Sequence, residues 1–473
     1  MLDDDACFRA MESRDRRFEG AFVIGVRTTG VYCRPGCPAR MPLRRNVRFF
    51  AEPAAAQAAG LRPCLRCRPD ASPGSPAWHG TPATVTRALR LIDEGVLAET
   101  SVGALADRLG VGERHLRRLF DAHLGASPIA VATTRRAHFA KKLLEETELS
   151  VTDVAYASGF RSLRRFHDAV RAAFAKPPRA LRRAPSRAGG TTVTLTLAYR
   201  APLGFEAILA FLRPRAIPGV ERVDEASYAR TIAGGTLEVR DDPARARLVV
   251  SVHAERTPEL YALAARVRAL FDLDADPAAV GRTLSQDPAL RPHLRAGLRV
   301  PGAWDGFELA VRAVLGQQVS VAGATTLSGR LVARFGVVVG AGDALTHLFP
   351  TPAALAEADV AAIGLPAARA TAIRALARAV ASGSLDLGGA RELDATLAAL
   401  VALPGFGPWT ASYVAMRAAR DPDAFPEGDL GLRKALAVSG VLPSARELAA
   451  HAERWRPFRA YAAMALWTSK GEA

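Results

Sequence analysis

The stretch that decides the fold of the second half of the chain reads Leu403-Pro404-Gly405-Phe406-Gly407-Pro408-Trp409-Thr410. It separates two apolar, helix-like segments, and its two glycines allow a tight turn whose backbone N–H groups point outward where the second helix begins. Such a turn can bind a phosphate through its backbone alone. One carboxylate, Asp429, lies 22 residues after Gly407. Gly405 and Gly407 are therefore predicted to contact DNA, and Asp429 is a candidate for chemistry on a nucleotide.

Length and charge narrow the class of protein. The chain has 473 residues, which suggests about three domains. No apolar run is long enough for a membrane span and the acidic N-terminus is not a signal peptide, so we expect a cytosolic protein without a membrane partner. Residues 1–190 carry +13 of the net charge of +16. That distribution is typical of a region that binds a polyanion, the alternative being a basic surface without a specific partner.

The five cysteines all lie within the first 67 residues. Cys33 and Cys37 form one close pair, and Cys64 and Cys67 form another. This spacing suits a tetrahedral Zn(Cys)4 centre with each pair on one turn, the alternative being a cysteine-rich core. Cys7 has no partner in the pattern and is interpreted as a spare residue. The sequence therefore predicts one zinc ion near the N-terminus.

The residues around these cysteines resemble the N-terminal domain of the Ada methylation-response proteins. The resemblance is carried by Thr28-Thr29-Gly30-Val31-Tyr32-Cys33-Arg34-Pro35-Gly36-Cys37 and by Arg62-Pro63-Cys64. It implies that Cys33 accepts a methyl group from a methylated DNA phosphate, and that Cys37, Cys64 and Cys67 hold the zinc together with it. A zinc-bound thiolate stays deprotonated at neutral pH and so remains nucleophilic.

Methylation of Cys33 would remove one negative charge from a cluster that faces DNA. At ~6 Å and an effective dielectric constant near 40, that charge is worth roughly 1.4 kcal/mol per nearby phosphate. DNA affinity would therefore rise about tenfold. Arg34 and Arg45 are candidates for the phosphate contacts, although each is also the kind of arginine found on any protein surface.

Residues 80–185 show a helical pattern with two helix-turn-helix units. Helices are predicted at 102–109 and 113–123, at 128–147, and at 151–158 and 162–174, with turns at Gly110 and Gly159. The arrangement resembles the AraC-type DNA-binding domain, and the motifs Gly125-x-Ser127-Pro128 and Gly159-Phe160 carry the resemblance. The candidates for contacts to operator DNA, either to bases or to phosphates, are Arg114, Arg117, Arg161 and Arg164.

Residues 191–300 are predicted to form a β-rich lobe. Strands are expected near 191–197, 227–232, 235–240 and 246–253, and helices near 205–212 and 258–271. The lobe has no cluster of titratable residues that suggests catalysis, so it is interpreted as a scaffold. Composition places linkers at 72–76 and 184–190.

Residues 301–473 are predicted to form a helical core. Helices are expected within 307–335 and near 352–361, 366–381 and 392–402. The turn at 403–407 and Asp429 resemble the helix-hairpin-helix DNA glycosylases. Closer similarity to AlkA, the bacterial alkylbase glycosylase, covers 191–473 and is carried by Arg299-Val300-Pro301-Gly302, by 311–317 and by 452–457.

The resemblance to AlkA implies a specific chemistry. Trp409 stands where strand-cutting relatives have a lysine, so no amine nucleophile is available there and base release without strand cleavage is expected. Trp409, Tyr413 and Trp467 match the aromatic residues that bind a cationic alkylated base, although core packing is the ordinary role of such residues. Asp429 matches the catalytic acid, and a simple helix N-cap is its alternative. Gln318 stands where AlkA has a leucine wedge.

These observations predict a multidomain, mainly α fold with α+β parts. Its four parts are a zinc methyl-acceptor domain (1–75), an AraC-type double helix-turn-helix domain (80–185), a β-rich, TBP-like lobe (191–300) and a helix-hairpin-helix glycosylase core (301–473). The expected function is a methylation-responsive transcriptional activator that also releases 3-methyladenine and similar bases from double-stranded DNA. The glycosylase is expected to need no cofactor. RNA polymerase is an expected partner, and the bacterial nucleoid the expected location. The alternative is a zinc-containing regulator whose glycosylase half only binds DNA.

Overall fold

The computed structural model describes residues 3–64, 66, 67, 69, 83–183, 192–339, 344–437 and 441–469. The predicted linkers at 72–76 and 184–190 lie outside these residues. The chain divides into two compact units, residues 1–200 with 254–265, and residues 201–253 with 266–473. The predicted multidomain, mainly α architecture is confirmed. In the described ranges, no helix is long and apolar enough to cross a membrane.

The first unit begins with a small four-stranded sheet that sequence analysis did not predict. Its elements are α1 (Asp4–Glu12), β1 (Val23–Val26), β2 (Val31–Cys33), β3 (Val47–Phe50), α2 (Pro53–Ala58) and β4 (Arg62–Pro63). The strand order is β3-β1-β2-β4, and β2 and β4 are parallel with Tyr32 opposite Pro63. This register places Cys33 beside Cys64, because each is the residue after the paired position.

The helical part of the first unit follows the predicted pattern. It contains α3 (Ala83–Asp93), α4 (Val96–Glu99), α5 (Val102–Leu109), α6 (Glu113–Leu124), α7 (Pro128–Glu146), α8 (Val151–Ala157), α9 (Leu163–Phe174) and α10 (Pro178–Leu181), and then β5 (Thr192–Ala198). Helix capping explains why the predicted bounds of these helices are close to the observed ones. Ser101 and Ser150 accept hydrogen bonds at the starts of α5 and α8, and Gly110 ends α5 with a φ of 72°.

A buried polar network joins the sheet of the first unit to α7. The Tyr32 hydroxyl lies 2.8 Å from His138 Nε2, and Gln57 Nε2 donates to that hydroxyl over 3.0 Å. Thr134 Oγ1 in turn donates to Gln57 Oε1. Tyr32 is fully buried and His138 almost so. We call these four residues the Tyr32–His138 network; it holds the residue before Cys33 against the long helix between the two helix-turn-helix units.

The second unit begins with the predicted β-rich lobe. It contains α11 (Phe205–Leu212), β6 (Glu221–Val223), β7 (Ser227–Ile232), β8 (Gly235–Asp242), β9 (Arg247–Ala254), the part of α12 (Leu260–Leu270) that begins at Arg266, and α13 (Pro277–Leu284). Strands β6 to β9 are sheet neighbours in the order β9-β8-β7-β6. The short strand β6 and the helix α13 were not predicted. The signal for α13 was present, since the Asp276 side chain accepts two backbone hydrogen bonds at its start.

The helical core completes the second unit. It contains α14 (Gly306–Leu315), α15 (Val321–Phe335), β10 (Val337–Val338), β11 (His347–Leu348), α16 (Pro352–Ala356), α17 (Ala367–Ala381), α18 (Leu393–Val401), α19 (Pro408–Arg417), α20 (Leu430–Ala435), α21 (Ala445–Ala452) and α22 (Arg459–Ser469). Helix α14 is buried and packs against α17 and α19. The helix predicted at 352–361 was wrong in its extent. It ends at Ala356, and a 3-10 turn then places Val360 and Ile363 in the core, so packing overrides the helical pattern.

Asp272 in the second unit leads to a prediction about stability and pH. Its Oδ2 accepts hydrogen bonds from Val300 N (3.2 Å) and the Tyr461 hydroxyl (2.7 Å). Burial raises the pKa of Asp272 to about 6, although the charge of Arg299 opposes the shift. The pKa of Asp272 is higher in the folded protein than in the unfolded chain. Protonated Asp272 therefore contributes its full share of the folding stability at a pH below the unfolded-state pKa, and this contribution is lost as the pH rises through about 6.

We therefore expect Asp272→Asn to stabilise the protein at pH 8 by at most about 3 kcal/mol, and to change stability little at pH 4. Asparagine keeps an oxygen acceptor and removes the buried charge. Thermal unfolding of both proteins at the two pH values measures the difference. A stability gap that is the same at pH 4 and pH 8 would contradict the assignment.

Candidate functional site

The predicted phosphate-binding turn lies between α18 and α19. Gly405 has a φ of +75°, and a side chain there would also meet the Cβ of Ala372 at 2.9 Å, so the position requires glycine. Gly407 is the N-cap of α19, with Pro408 at its first turn. Phe406 is buried and anchors the turn, whereas both glycines are exposed. The turn therefore presents its backbone to solvent at a helix N-terminus, as a phosphate site requires.

Asp429 is held by three donors. It is the N-cap of α20, where its Oδ1 accepts from Leu432 N over 2.9 Å. The same oxygen accepts from Trp467 Nε1 over 3.0 Å. Its Oδ2 accepts from Trp409 Nε1 over 2.7 Å. The residue is therefore a helix cap and, at the same time, the carboxylate between two of the predicted pocket aromatics.

The three predicted aromatic residues form one cluster around this carboxylate. Trp409 and Tyr413 stack with centroids 5.3 Å apart and an interplanar angle of 8°. Tyr413 and Trp467 are tilted by 57° with centroids 6.3 Å apart. All three rings are only partly buried. Both indoles donate to an anion, which increases the electron density on their rings. The cluster is thus suited to a flat, electron-poor ligand.

Arg417 supports this cluster, and sequence reasoning missed it. Its Nη1 donates to the Tyr413 hydroxyl over 2.6 Å, and its Nε and Nη2 donate to the carbonyls of Pro301 and Gly302. The side chain is almost fully buried. Although burial opposes the shift, the charge of Arg417 lowers the pKa of Tyr413. Its position four residues after Tyr413 on one helix was the signal that could have found it.

Gln318 lies on an exposed loop between α14 and α15. Its backbone has a φ of +57°, a left-handed conformation that non-glycine residues rarely adopt. The side chains of Val319 and Val321 beside it are 37% and 38% exposed. The preceding residue, Gln317, was not singled out from the sequence, yet its Nε2 donates to the carbonyl of Gly405 over 2.9 Å. The loop and the hairpin are therefore in direct contact.

The four predicted metal ligands come together in the first unit. The sulfur atoms of Cys33, Cys37, Cys64 and Cys67 all lie within 4.8 Å of one another. Tetrahedral zinc with Zn–S bonds of about 2.3 Å separates its sulfurs by about 3.8 Å, so the cluster fits this ion. Hydrogen bonds from the Cys33 and Cys67 thiols lower the pKa of Cys37, whereas the hydrogen bond to Cys37 raises the pKa of Cys33, so deprotonation of all four sulfurs needs a bound cation. Cys33 is 7% exposed and Cys67 2% exposed, whereas the other two are more accessible.

Cys7 differs from these four cysteines. It is fully buried in an apolar cluster with Met11, Phe22 and Ile24. Burial, together with Asp4, raises the pKa of its thiol to about 11. Cys7 is therefore a core residue with an unreactive thiol, which explains why the metal-ligand pattern leaves it out.

The arginines predicted to bind DNA fall into two groups. Arg45, Arg114 and Arg164 are exposed. The others form ion pairs, in which Arg34 contacts Glu19, Arg117 contacts Glu113 and Arg161 contacts Glu99, each with an N–O distance of 2.6–2.7 Å. The pairs of Arg117 and Arg161 are solvent-exposed, so they are weak and can exchange for a phosphate contact. Arg34 is more buried, and its partner Glu19 has a nearly buried carboxylate.

Four protein-family models match the chain. They are the metal binding domain of Ada (residues 6–70), a helix-turn-helix domain (105–184), the AlkA N-terminal domain (194–305) and the HhH-GPD superfamily of base excision DNA repair proteins (311–457). Together they cover both units. The cysteine cluster lies in the first match, and the hairpin with its aromatic cluster lies in the last.

Proteins similar to this chain match either its full length or one part of it. A probable bifunctional transcriptional activator/DNA repair enzyme AlkA of Mycobacterium tuberculosis is 46% identical over 99% of this chain and 97% of its own length. DNA-3-methyladenine glycosylase 2 of Escherichia coli is 35% identical over 58% of this chain and 97% of its own length. The E. coli bifunctional transcriptional activator/DNA repair enzyme Ada is 39% identical over 34% of this chain and 43% of its own length. The chain therefore belongs to the family of bifunctional transcriptional activators and DNA repair enzymes that combine Ada-type zinc-binding and helix-turn-helix domains with an AlkA-type DNA glycosylase.

Proposed function

We propose that this protein releases alkylated bases from DNA as a monofunctional 3-methyladenine glycosylase, and activates transcription after its zinc domain has taken up a methyl group. The observation that carries the proposal is the carboxylate of Asp429, which accepts hydrogen bonds from Trp409 and Trp467 beside the stacked ring of Tyr413. An anion and electron-rich rings in one site suit a base that carries positive charge.

The proposed reaction uses these residues in separate roles. The hairpin at Gly405 and Gly407 binds a phosphate of the damaged strand, and the base rotates out of the duplex to lie against the aromatic cluster. As the C1′–N bond breaks, its electron pair leaves with the base, which becomes neutral. Asp429 stabilises the positive charge that develops on the sugar. A water molecule then bonds to C1′ and gives up a proton, and an abasic site remains.

Base release without strand cleavage follows from the residue at the start of α19. Trp409 occupies the position at which a lysine would form a Schiff base with the sugar, and its indole nitrogen is a donor without a nucleophilic lone pair. We therefore propose that the product strand stays intact. Denaturing electrophoresis before and after alkaline treatment separates the two outcomes.

The sensor half would act through Cys33. Zinc held by the four cysteines keeps their thiolates deprotonated at neutral pH. The Cys33 sulfur attacks the methyl carbon of a methylated phosphate, the bond from that carbon to the phosphate oxygen breaks, and the phosphate leaves as an anion. Cys33 retains a small exposed surface for this attack. The cluster loses one negative charge, which reduces its repulsion of DNA.

Operator recognition would then fall to the two helix-turn-helix units. Helices α6 and α9 carry the exposed Arg114 and Arg164, and Arg117 and Arg161 lie on or next to the same helices in exposed ion pairs. We propose that these four side chains contact operator DNA, and that Arg34 and Arg45 contact phosphates near the zinc. As an activator at the bacterial nucleoid, the bound protein would recruit RNA polymerase.

The glycosylase activity is tested with duplex DNA treated with a methylating agent. Incubation with the full chain should release free 3-methyladenine, detected by chromatography. Absence of any released base would leave a DNA-binding regulator as the function of this half. Release that is accompanied by strand breaks before alkaline treatment would contradict the monofunctional mechanism.

Metal removal gives a further prediction. We expect one zinc ion per chain by mass spectrometry under native conditions, and a clearly lower zinc content in Cys64→Ala after dialysis against a chelator, because three thiolates hold the ion more weakly than four. Cys7→Ala is the matched control, since Cys7 is buried outside the cluster. We expect it to keep the full zinc content. A zinc content of Cys64→Ala equal to that of the wild type after the same dialysis would contradict the proposed ligand set.

A further inference from the structure

We infer that Gln317 is a positioning residue for base flipping. Its side chain fixes the loop that carries Gln318 against the hairpin that binds the phosphate. The inference rests on the proposed glycosylase function and adds a residue to it. The loop is defined as residues 316–320 and is called the wedge loop below.

Two hydrogen bonds from one amide make the connection. Gln317 Nε2 donates to the carbonyl oxygen of Gly405 over 2.9 Å and to Thr410 Oγ1 over 3.2 Å. Gly405 is the left-handed residue of the hairpin turn, and Thr410 lies in the first turn of α19. Both hydrogens of the amide group are therefore used between the wedge loop and the hairpin.

The wedge loop is held in a strained conformation. A φ of +57° at Gln318 costs on the order of a factor of ten in population, because only glycine adopts it freely. The backbone on both sides is fixed: Arg369 Nη1 donates to the carbonyls of Leu315 and Gln317, and the Ser320 hydroxyl caps α15. Strain that the surroundings hold in place is typical of functional positions.

Helix α17 supports the wedge loop and the hairpin at the same time. It carries Arg369, which binds the wedge loop, and Ala372, against which the Gly405 turn packs. The side chain of Gln317 then connects the wedge loop directly to the hairpin. The exposed Gln318 amide and the flanking Val319 are thus kept at a fixed distance from the exposed glycines of the hairpin.

The distance between the wedge loop and the hairpin matters only while a base is being rotated out of the DNA duplex. The hairpin holds the phosphate, and the wedge loop fills the space that the base leaves. If the wedge loop shifts relative to the hairpin, unpairing becomes less favourable, whereas the aromatic cluster and Asp429 are unchanged. Loss of Gln317 should therefore slow reactions that need unpairing, and spare a base that is already unpaired.

The test compares two substrates under single-turnover conditions. One carries N7-methylguanine paired with cytosine, and the other carries it in a single-nucleotide bulge. We expect Gln317→Ala to lower the rate on the paired substrate by about tenfold, which is the effect of losing two neutral hydrogen bonds. On the bulged substrate its rate should stay within about twofold of the wild-type rate. Gln317→Glu should show the same rates as Gln317→Ala, because a carboxylate cannot donate a hydrogen bond to the carbonyl of Gly405. The exposed Gln286 provides a control, Gln286→Ala, with no expected change.

A second measurement does not depend on base release. With 2-aminopurine next to an abasic site analogue, we expect wild-type protein to increase the fluorescence and Gln317→Ala to do so by a smaller factor. Equal slowing on the paired and bulged substrates, or an unchanged rate on the paired one, would overturn the inference. If wild-type protein opens the duplex without releasing a base, the proposed catalytic function fails and the fluorescence comparison decides the role of Gln317. If wild-type protein neither opens the duplex nor releases a base, the proposed catalytic function and the inference about Gln317 both fail.

Discussion

Replacing Asp429 with asparagine is expected to lower the single-turnover rate of base release by about a thousandfold. The carboxylate is the anion within the aromatic cluster, and in the proposed mechanism its charge stabilises the positive charge that develops on the sugar. An asparagine oxygen can keep the bonds from Leu432 N and Trp467 Nε1. Its amide group would face the Trp409 indole N–H, which is also a donor, so that one contact is lost.

The matched control separates the charge from the helix cap. Asp305 caps α14 in the same way, accepting from Glu308 N over 3.0 Å, and it is exposed. Asp305→Asn should leave the rate unchanged. DNA binding by Asp429→Asn, measured by anisotropy on duplex with an abasic site analogue, should stay within a few-fold of wild type. Release by Asp429→Asn at the wild-type rate would show that this residue is only a cap.

Cys33→Ala is expected to abolish methyl uptake and the increase in DNA affinity that follows it. After exposure to DNA with methylated phosphates, wild-type protein should gain the mass of one methylene group, located on Cys33. Its affinity for duplex DNA should rise about tenfold at low salt, because one negative charge is removed near the phosphates. The rise should shrink as the salt concentration increases.

The comparison with Cys7→Ala makes this result specific. Cys7 has a raised pKa and no exposed surface, so this variant should take up methyl groups as the wild type does. Peptide mapping distinguishes Cys33 from the more accessible Cys37 and Cys64. A methyl group on either of those residues would refute the assignment of Cys33. Base release should be the same in all these variants, because their changes lie in the other compact unit.

The sequence predicted best where local chemistry determines structure. Ser101, Gly110 and Ser150 mark helix ends through their own backbone contacts, and α5 has the predicted bounds. The strands of the zinc region were missed because they have only two to four residues, too few to show alternation. Their pairing is set by contacts between distant segments, which bring Cys33 beside Cys64.

The sequence predicted which residues form the candidate site, but it did not predict the contacts between them. The hairpin motif drew attention to Trp409 and Asp429, but nothing in the sequence showed that the indole donates to the carboxylate across 20 positions. Arg417 was missed although its spacing from Tyr413 was a signal, and Gln317 was noted only as part of the 311–317 stretch, because the sequence does not show which groups these side chains contact. Their roles arise from carbonyl groups elsewhere in the chain that their side chains meet after folding.

The Tyr32–His138 network has a consequence for damaged protein. Tyr32 precedes Cys33 of the four-cysteine cluster, and it contacts His138 on α7, the helix between the two helix-turn-helix units. The two parts of the first unit are therefore coupled in stability. A chain whose zinc region is damaged at Tyr32 loses buried hydrogen bonds to Gln57 and His138, each worth about 1–3 kcal/mol, so the helical part is destabilised together with the sheet.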